Sequence, residues 1–407
     1  MITRIEDIAD WLLEAGTGRA SLLDLTREVV QKIHEVGGPL SRINLGVFAL
    51  HPEMAGYVVH WESGMDAPVE TPIRREDTRL PVYLESPIRW MVENQSPVRF
   101  NLEDPEQGRE FPVLDEFRRA GTTDYRGFPL GYGADGVAVL TVCTDRPGGF
   151  EAWEVSGIAK LFPVLRLLIE VVETRRLAQT VLHTYLGGNT GDLVLEGKIL
   201  RGQGETIQAG LWLCDLRGFT SMTEDIGADA MIEVMNLYFD CMAEAVWSEG
   251  GEILKFMGDA LLAVFRITEQ VSPSAAAQRG ARAAVDAQRR LAALSRRRAA
   301  EDLGPLHAGI AVHLGEVVYG NIGARTRLDF TVMGNSVNLL ARLQSLTGQL
   351  EEPILLSSSV ARHVTDPIES VGKHSFKGVE RPVEVFRLLE SEAEPAGWVW
   401  RPATEQS

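Results

Sequence analysis

The stretch GGEILKFMGDALLAVF (250–265) constrains this chain more than any other: two apolar, strand-like runs meet at Gly258-Asp259, a dipeptide that fits a tight hairpin. Such a hairpin carries Asp259 at its tip. Upstream, the apolar run GLWLCD (210–215) ends in a second acid, Asp215, and leads through LRGFTSMTEDIG into a helical pattern over 228–247. Gly218, Phe219 and Thr220 fall at a helix start, where free backbone N–H groups beside a carboxylate suit metal and phosphate together. If the hairpin pairs beside strand 210–215, the two carboxylates meet. Two aspartates on adjacent strand ends can hold two Mg²⁺ ions, an arrangement used for in-line displacement at phosphorus. Taken singly, each acid also fits a plainer role, Asp215 as a helix cap or loop residue and Asp259 as a turn former.

Four strings, CDLRGFT, GGEILKFMGDALLAVF, LDFTVMGNSVNLLARLQ and FKGVERPVEVFRL, stand in the order and at the spacing of class III adenylyl and guanylyl cyclases, which residues 208–390 resemble. The resemblance implies an α+β fold, a ferredoxin-like βαββαβ core with additional strands, consistent with the strand, helix, hairpin order read from periodicity. It assigns Asp215 and Asp259 to two ions, Mg²⁺ or Mn²⁺, assisted by the carbonyl of Leu216, and sets the N–H groups of Gly218, Phe219 and Thr220 on the terminal phosphates. Lys255 and Thr331 align with the two base-recognising positions. A lysine donates to adenine N1, an acceptor, whereas guanine N1 carries a proton and prefers an acidic partner. A Lys plus Thr pair therefore resembles the adenylyl cyclase subgroup in which threonine replaces aspartate.

Asn338 and Arg342, four apart in NSVNLLAR, share a helix face. In the resemblance the asparagine orients the ribose, the arginine contacts the α-phosphate, and Lys377 clamps the terminal phosphates. Arg325 or Arg327 adds a further phosphate contact. The family's metal aspartates come from one subunit and its base-recognising residues, asparagine and arginine from the partner. A chain carrying both halves is thus expected to form a homodimer with two shared sites and to be inactive as a monomer. The implied reaction converts ATP to 3′,5′-cyclic AMP and pyrophosphate. A guanylyl cyclase and a nucleotide-binding regulator without turnover are the alternatives.

Residues 1–160 read as mixed α/β. Helical periodicity at 5–14 and 21–35 is followed by strand-like runs at 43–50 and 56–61, a helix at 86–95, a short strand at 97–100, and strands at 126–131 and 136–143 flanking GYGADG. This layout is similar to a GAF sensor domain with an unnamed small-molecule effector; a PAS-type sensor, or a GAF fold that only dimerises, stays open. Leu161, Leu165, Leu168 and Val172, continued by Arg175, Gln179, Leu182 and Leu186, form an imperfect heptad seam up to Gly187-Gly188. It fits either a coiled-coil connector that sets the catalytic domains' orientation or a helix packed on its own domain. The expected division is 1–160 sensor, 161–207 helical connector and linker, 208–390 catalytic domain and 391–407 tail.

Composition narrows the partners. The 407 residues are 45% hydrophobic and 24% charged, enough apolar material for packed cores. A formal net charge of −17 opposes nucleic-acid binding, and the cluster Arg289, Arg290, Arg296, Arg297 and Arg298 reads as a solvated helix face or a partner contact. Cys143, Cys214 and Cys241 are scattered without metal-ligand spacing, which suits a reducing compartment. The N-terminus has acids where a secretory signal needs a basic start, and LFPVLRLLIEVV is interrupted by Arg166 and Glu170 and too short to span a bilayer. A cytoplasmic protein without membrane anchor is expected.

Overall fold

The structure is a computed structural model that describes residues 4–14, 21–49, 54–132, 136–198, 200, 202, 204–301, 303–379 and 381–389. The tail expected at 391–407 and positions 133–135 of the GYGADG turn lie outside the described residues. The chain divides into two compact units, Met1–Val181 and Leu182–Ser407. No described helix is long and apolar enough to cross a membrane.

In the first unit, helices α1 (Asp7–Glu14) and α2 (Leu22–Glu35) precede strands β1 (Arg42–Phe48), β2 (Met54–Glu62) and β3 (Val69–Arg74). Then come α3 (Pro81–Leu84), α4 (Pro87–Asn94), β4 (Val98–Asn101), α5 (Val113–Arg119), β5 (Asp124–Tyr132), β6 (Gly136–Thr144) and the long α6 (Ala152–Leu186). The strands form one antiparallel sheet in the order β3-β2-β1-β6-β5-β4. Ile43, Leu45 and Val47 alternate into a core with Leu22, Leu25, Val29 and Ile33, the apolar stripe of α2. Ser21 starts that helix by accepting from the Asp24 N–H at 3.2 Å. The α6 seam residues Leu161, Leu165, Leu168 and Val172 are buried in this same core, so this half of the seam packs on its own domain, while Arg175 and Gln179 are exposed. Because α6 begins at Ala152, the boundary expected at 160 falls inside a helix.

The second unit runs α7 (Gly188–Leu195), β7 (Gly204–Leu216), α8 (Phe219–Ile226), α9 (Ala228–Ser248), β8 (Glu252–Met257), β9 (Ala260–Arg266), α10 (Pro273–Ala299) and β10 (Ala308–Ala324). It continues with β11 (Arg327–Met333), α11 (Asn335–Gln349), β12 (Ile354–Ser357), α12 (Ser358–Ala361), β13 (Ile368–His374) and β14 (Val383–Leu388). The sheet order is β13-β14-β12-β10-β7-β9-β8, with β11 pairing β10. Strands β8-β9-β7-β10, all antiparallel and joined through α9 and α10, make the split βαββαβ arrangement. One face, with Trp212, Cys214, Leu261, Ala263 and Phe265, packs on α9 and α10. The other, with Leu211, Leu213, Leu262 and Val264, packs on α11 and Phe330. Asp215 continues the 211, 213 series and therefore points to the α11 side.

The stretch that follows α6 carries regular structure. It holds α7, whose Thr190 is buried and whose Leu193 packs on the catalytic core, and the start of β7, which begins at Gly204.

Candidate active site

Met257 faces Ala260 across β8 and β9, leaving Gly258-Asp259 as a two-residue turn, and Ala260 faces Asp215 across β9 and β7. Gly258 has φ +64°, a left-handed conformation that glycine takes without a Cβ clash. The hairpin thus delivers Asp259 to the end of β7. Burial first, then the charge and hydrogen bond of Asp259, push the Asp215 carboxyl well above the usual carboxylate range; Arg217 and Gln344 pull it back. Gln344 is buried, with its amide near enough to Asp215 to favour the ionised carboxylate but in no well-formed hydrogen bond among the described residues. Sequence reasoning missed it. The available signal was a lone amide in the stripe Leu340, Leu343, Gln344, Thr347, the i, i+3, i+4, i+7 spacing of a core-facing helix.

This pair suits a hard divalent cation. A half-buried carboxylate whose ionisation is opposed by its neighbour is relieved by positive charge between them. Among the described residues no group of three or more His, Cys, Asp or Glu side chains gathers as a metal cage. Two carboxylates suffice for Mg²⁺, which keeps waters and shares substrate phosphates. Next to the pair, Gly218 (φ +69°) caps α8 without any side-chain hydrogen bond, so the first amides of that helix are left for another acceptor. Phe219 packs on the core, Thr220 is exposed, and Leu216 ends β7 with its side chain buried. A cavity of about 690 Å³ opens behind the 217–218 turn, lined by Arg217, Leu291, Arg296, His307 and Glu351, but neither aspartate lines it.

Lys255 owes its direction to a β-bulge. Ile253 pairs with Ala263 but Lys255 with Leu262, so Leu254 is an extra residue in β8. Strict alternation would put Lys255 on the face of Ile253, toward α9 and α10. The bulge turns it to the face of Leu262, on the α11 side. There its Nζ lies 2.5 Å from Asp329 Oδ2, and this hydrogen bond and charge hold the Asp329 carboxyl below its usual range. Thr331 is two residues further along β11, opposite Gly320. Phe330, between them, packs edge-on to Tyr319 with ring centroids 4.7 Å apart. Lys255 and Asp329 line a cavity of about 670 Å³ whose walls include Trp247, Phe256, Phe330 and segment 183–189.

Helix α11 presents the remaining residues on a different side. Gln344 lies beside Asp215, and Thr347 accepts from Arg217. Arg342 is two residues, about 200°, round the helix from Gln344. Its guanidinium nitrogens come within 3.8 Å of where a Cβ on Gly378 would stand. Arg342 and the exposed Lys377 of the FKGV turn are therefore neighbours, with exposed Asn338 one turn away on the same side. The fold brings Asp215 to Asp259, Lys255 toward the strand of Thr331, and Arg342 to the Lys377 turn, but it does not turn Arg342 toward Asp215. Arg325 and Arg327 are exposed at the tip of the β10–β11 hairpin.

Behind β8 lies a buried polar cluster that the sequence did not reveal. Glu252 Oε1 accepts from Tyr319 at 3.0 Å and Thr190 at 3.2 Å, while its Oε2 has no partner among the described residues. The cluster ties α7 to the strands that carry Lys255 and pair with β11.

The second unit is similar in sequence to known proteins. The sequence model of the adenylate and guanylate cyclase catalytic domain family matches residues 204–389. An adenylate cyclase of Anabaena cylindrica is 32% identical over 196 residues, which is 46% of this chain and only 38% of that protein. The solved adenylyl cyclase CyaB of P. aeruginosa is 26% identical, with 46% of this chain and 97% of that chain covered and a TM-score of 0.44. The solved guanylyl cyclase Cya2 is 33% identical, with 46% and 93% covered and a TM-score of 0.41. Residues 204–389 are a class III nucleotidyl cyclase catalytic domain. Domains of this class act on nucleotides, use divalent metal ions and are typically dimeric.

Proposed function

We propose that this chain is an adenylyl cyclase that converts ATP to 3′,5′-cyclic AMP and pyrophosphate as a homodimer, under the control of its N-terminal unit. The observation that carries the reading is the abutting pair Asp215 and Asp259 on the same side of the sheet as Lys255. Asp215 and Asp259 would hold divalent cations, which when bound would supply the charge to acidify the ribose 3′-hydroxyl and balance the departing pyrophosphate. The amides of residues 218–220 and Lys377 hold the terminal phosphates. Arg342 meets the α-phosphate, where negative charge builds, and Asn338 orients the ribose. Lys255 donates to adenine N1, with Thr331 beside it. None of these side chains is placed as an obvious general base, so the proton leaves to water or to substrate phosphate.

The homodimer is supported by α11. Asn338 and Arg342 face away from the side that meets Asp215, so a second copy supplies them to the aspartates. Regulation is supported by two features. The first unit's six-stranded order, β3-β2-β1-β6-β5-β4, suits a GAF-like sensor, and residues 183–189, which begin the second unit just after it, border the cavity of Lys255.

Purified protein given Mg²⁺ or Mn²⁺ with ATP or GTP, across protein concentration, tests the reading. Cyclic AMP formed from ATP, with specific activity rising as dimers form, supports it. Turnover of GTP alone would make the chain a guanylyl cyclase, and tight ATP binding with no product at any concentration would make it a silent regulator.

A further inference from the structure

We propose that the cavity behind the 217–218 turn is a binding site for a small monocarboxylate with an apolar body, its carboxylate received by Arg217 and His307. The site is separate from the aspartate pair, since neither Asp215 nor Asp259 lines it. It does not depend on which nucleotide the chain turns over.

Three observations carry it. The first is the fit of the cavity. Its volume of about 690 Å³ falls in the range that holds a small organic molecule, and Leu291, Ala292, Pro305, Leu306 and Pro353 give it a largely apolar wall. The second is the seat of Arg217. A Cβ at Gly309 or at Gly348 would overlap its guanidinium, and neither glycine has a positive φ. What those two positions require is therefore room, and the room is given to a charged group on the cavity wall.

The third observation is where the polar groups of the wall are spent. Gln288 donates its amide to the carbonyls of Ala308 at 2.8 Å and Pro353 at 3.2 Å. Ser295 donates to the Leu306 carbonyl at 3.1 Å and accepts its N–H at 3.0 Å. Glu352 pairs with Arg387 at 2.6 Å, and Glu351 is exposed. Arg217 and His307 are left over. The half-buried guanidinium makes one hydrogen bond, to Thr347, and no ion pair among the described residues. Burial disfavours its charge, and Asp215 only partly offsets this. The His307 ring makes no hydrogen bond among the described residues, while its carbonyl accepts the Arg217 backbone N–H at 2.7 Å. Two adjoining side chains thus offer unspent donors to one cavity.

The chemistry selects the ligand. A guanidinium held in place presents a planar fork of donors that matches a carboxylate, and the imidazole adds one more. A single negative charge answers Arg217, whereas a phosphate would bring a second one toward Glu351 and Glu352. The apolar wall takes the rest of the molecule out of water.

The test is binding of 4-phenylbutyrate to the full chain, followed by titration calorimetry and saturation-transfer NMR. Binding should saturate at one per chain and be at least about tenfold tighter than that of 4-phenylbutanamide, which has the same body and no charge. Arg217→Gln should weaken the acid by about tenfold or more. Ala292→Phe, which fills the cavity from its wall and leaves Arg217 in place, should abolish binding in a protein that still melts cooperatively. Should Arg217→Gln fail to fold, Ala292→Phe decides alone. Equal affinity for acid and amide, undiminished binding to Ala292→Phe, or no binding to the wild type at millimolar probe would overturn the proposal. Displacement of the probe by equimolar acetate or inorganic phosphate would also overturn it, because the apolar body would then contribute nothing.

Discussion

Asp259 lies against Asp215 across the β7–β9 pairing, so the fold sets two like charges together at the ends of adjacent strands. Arg217 and Gln344 offset only part of this.

Asp259→Asn should therefore separate activity from stability. Cyclase activity should fall by at least about a hundredfold because half of the metal donor set is gone. In chelator, the variant should unfold at higher urea than the wild type, by about 1 kcal/mol, the usual scale for relief of facing like charges. Undiminished turnover would remove the metal assignment, and a less stable variant would remove the repulsion argument.

Mixing two dead variants tests the shared site. Asp259→Asn spoils the aspartate pair in the β8–β9 turn, and Arg342→Ala spoils the face of α11 turned away from Asp215. Random exchange between homodimers makes half of the dimers mixed, each with one intact site, so activity should return to about one quarter of wild type. Recovery absent after verified subunit exchange would mean that each chain builds its site alone.

Thr190→Val keeps the shape of the buried cluster but removes one of the two hydrogen bonds to Glu252 Oε1. The loss should lower unfolding stability by about 1 to 2 kcal/mol, measured by urea titration of the catalytic unit. A Thr190→Ser protein, which keeps the hydroxyl, should lose less.

The buried His313 makes stability fall in acid. Its Nδ1 lies 2.8 Å from Ser357 Oγ, and burial lowers its pKa from 6.5 to about 4. Between those values the unfolded chain binds the proton and the folded one does not. Its contribution is thus complete above about pH 6.5 and is lost as pH falls toward 4, amounting to roughly 3 kcal/mol over that span. His313→Gln should flatten the slope of stability against pH in this window. An unchanged slope would place the acid sensitivity elsewhere.

What could be read in advance follows physical range. The Gly-Asp turn, the Asp215 strand end and the α11 spacing of Asn338 and Arg342 are local patterns, and they fall where periodicity puts them. The Leu254 bulge was not legible, because alternation along β8 carries no mark of an inserted residue; only pairing with β9 exposes it. Gln344 was hidden for a different reason, as a lone amide within a core-facing helix stripe. Thr190 and Glu252 are 62 residues apart, and nothing in either neighbourhood announces the other. The α6 seam shows the limit of a heptad pattern: Leu161 to Val172 repeat as a coiled coil would, yet they fill their own domain's core.

The Leu254 bulge has a consequence for how such a protein can change over time. The direction of position 255 is written into the backbone and not into the side chain that occupies it. On the proposed reading, positions 255 and 331 can then be exchanged together, altering which nucleotide is accepted, while Asp215 and Asp259 stay where the β7–β9 pairing keeps them. Substrate preference can then drift by point substitution without disturbing the backbone that aims the side chain.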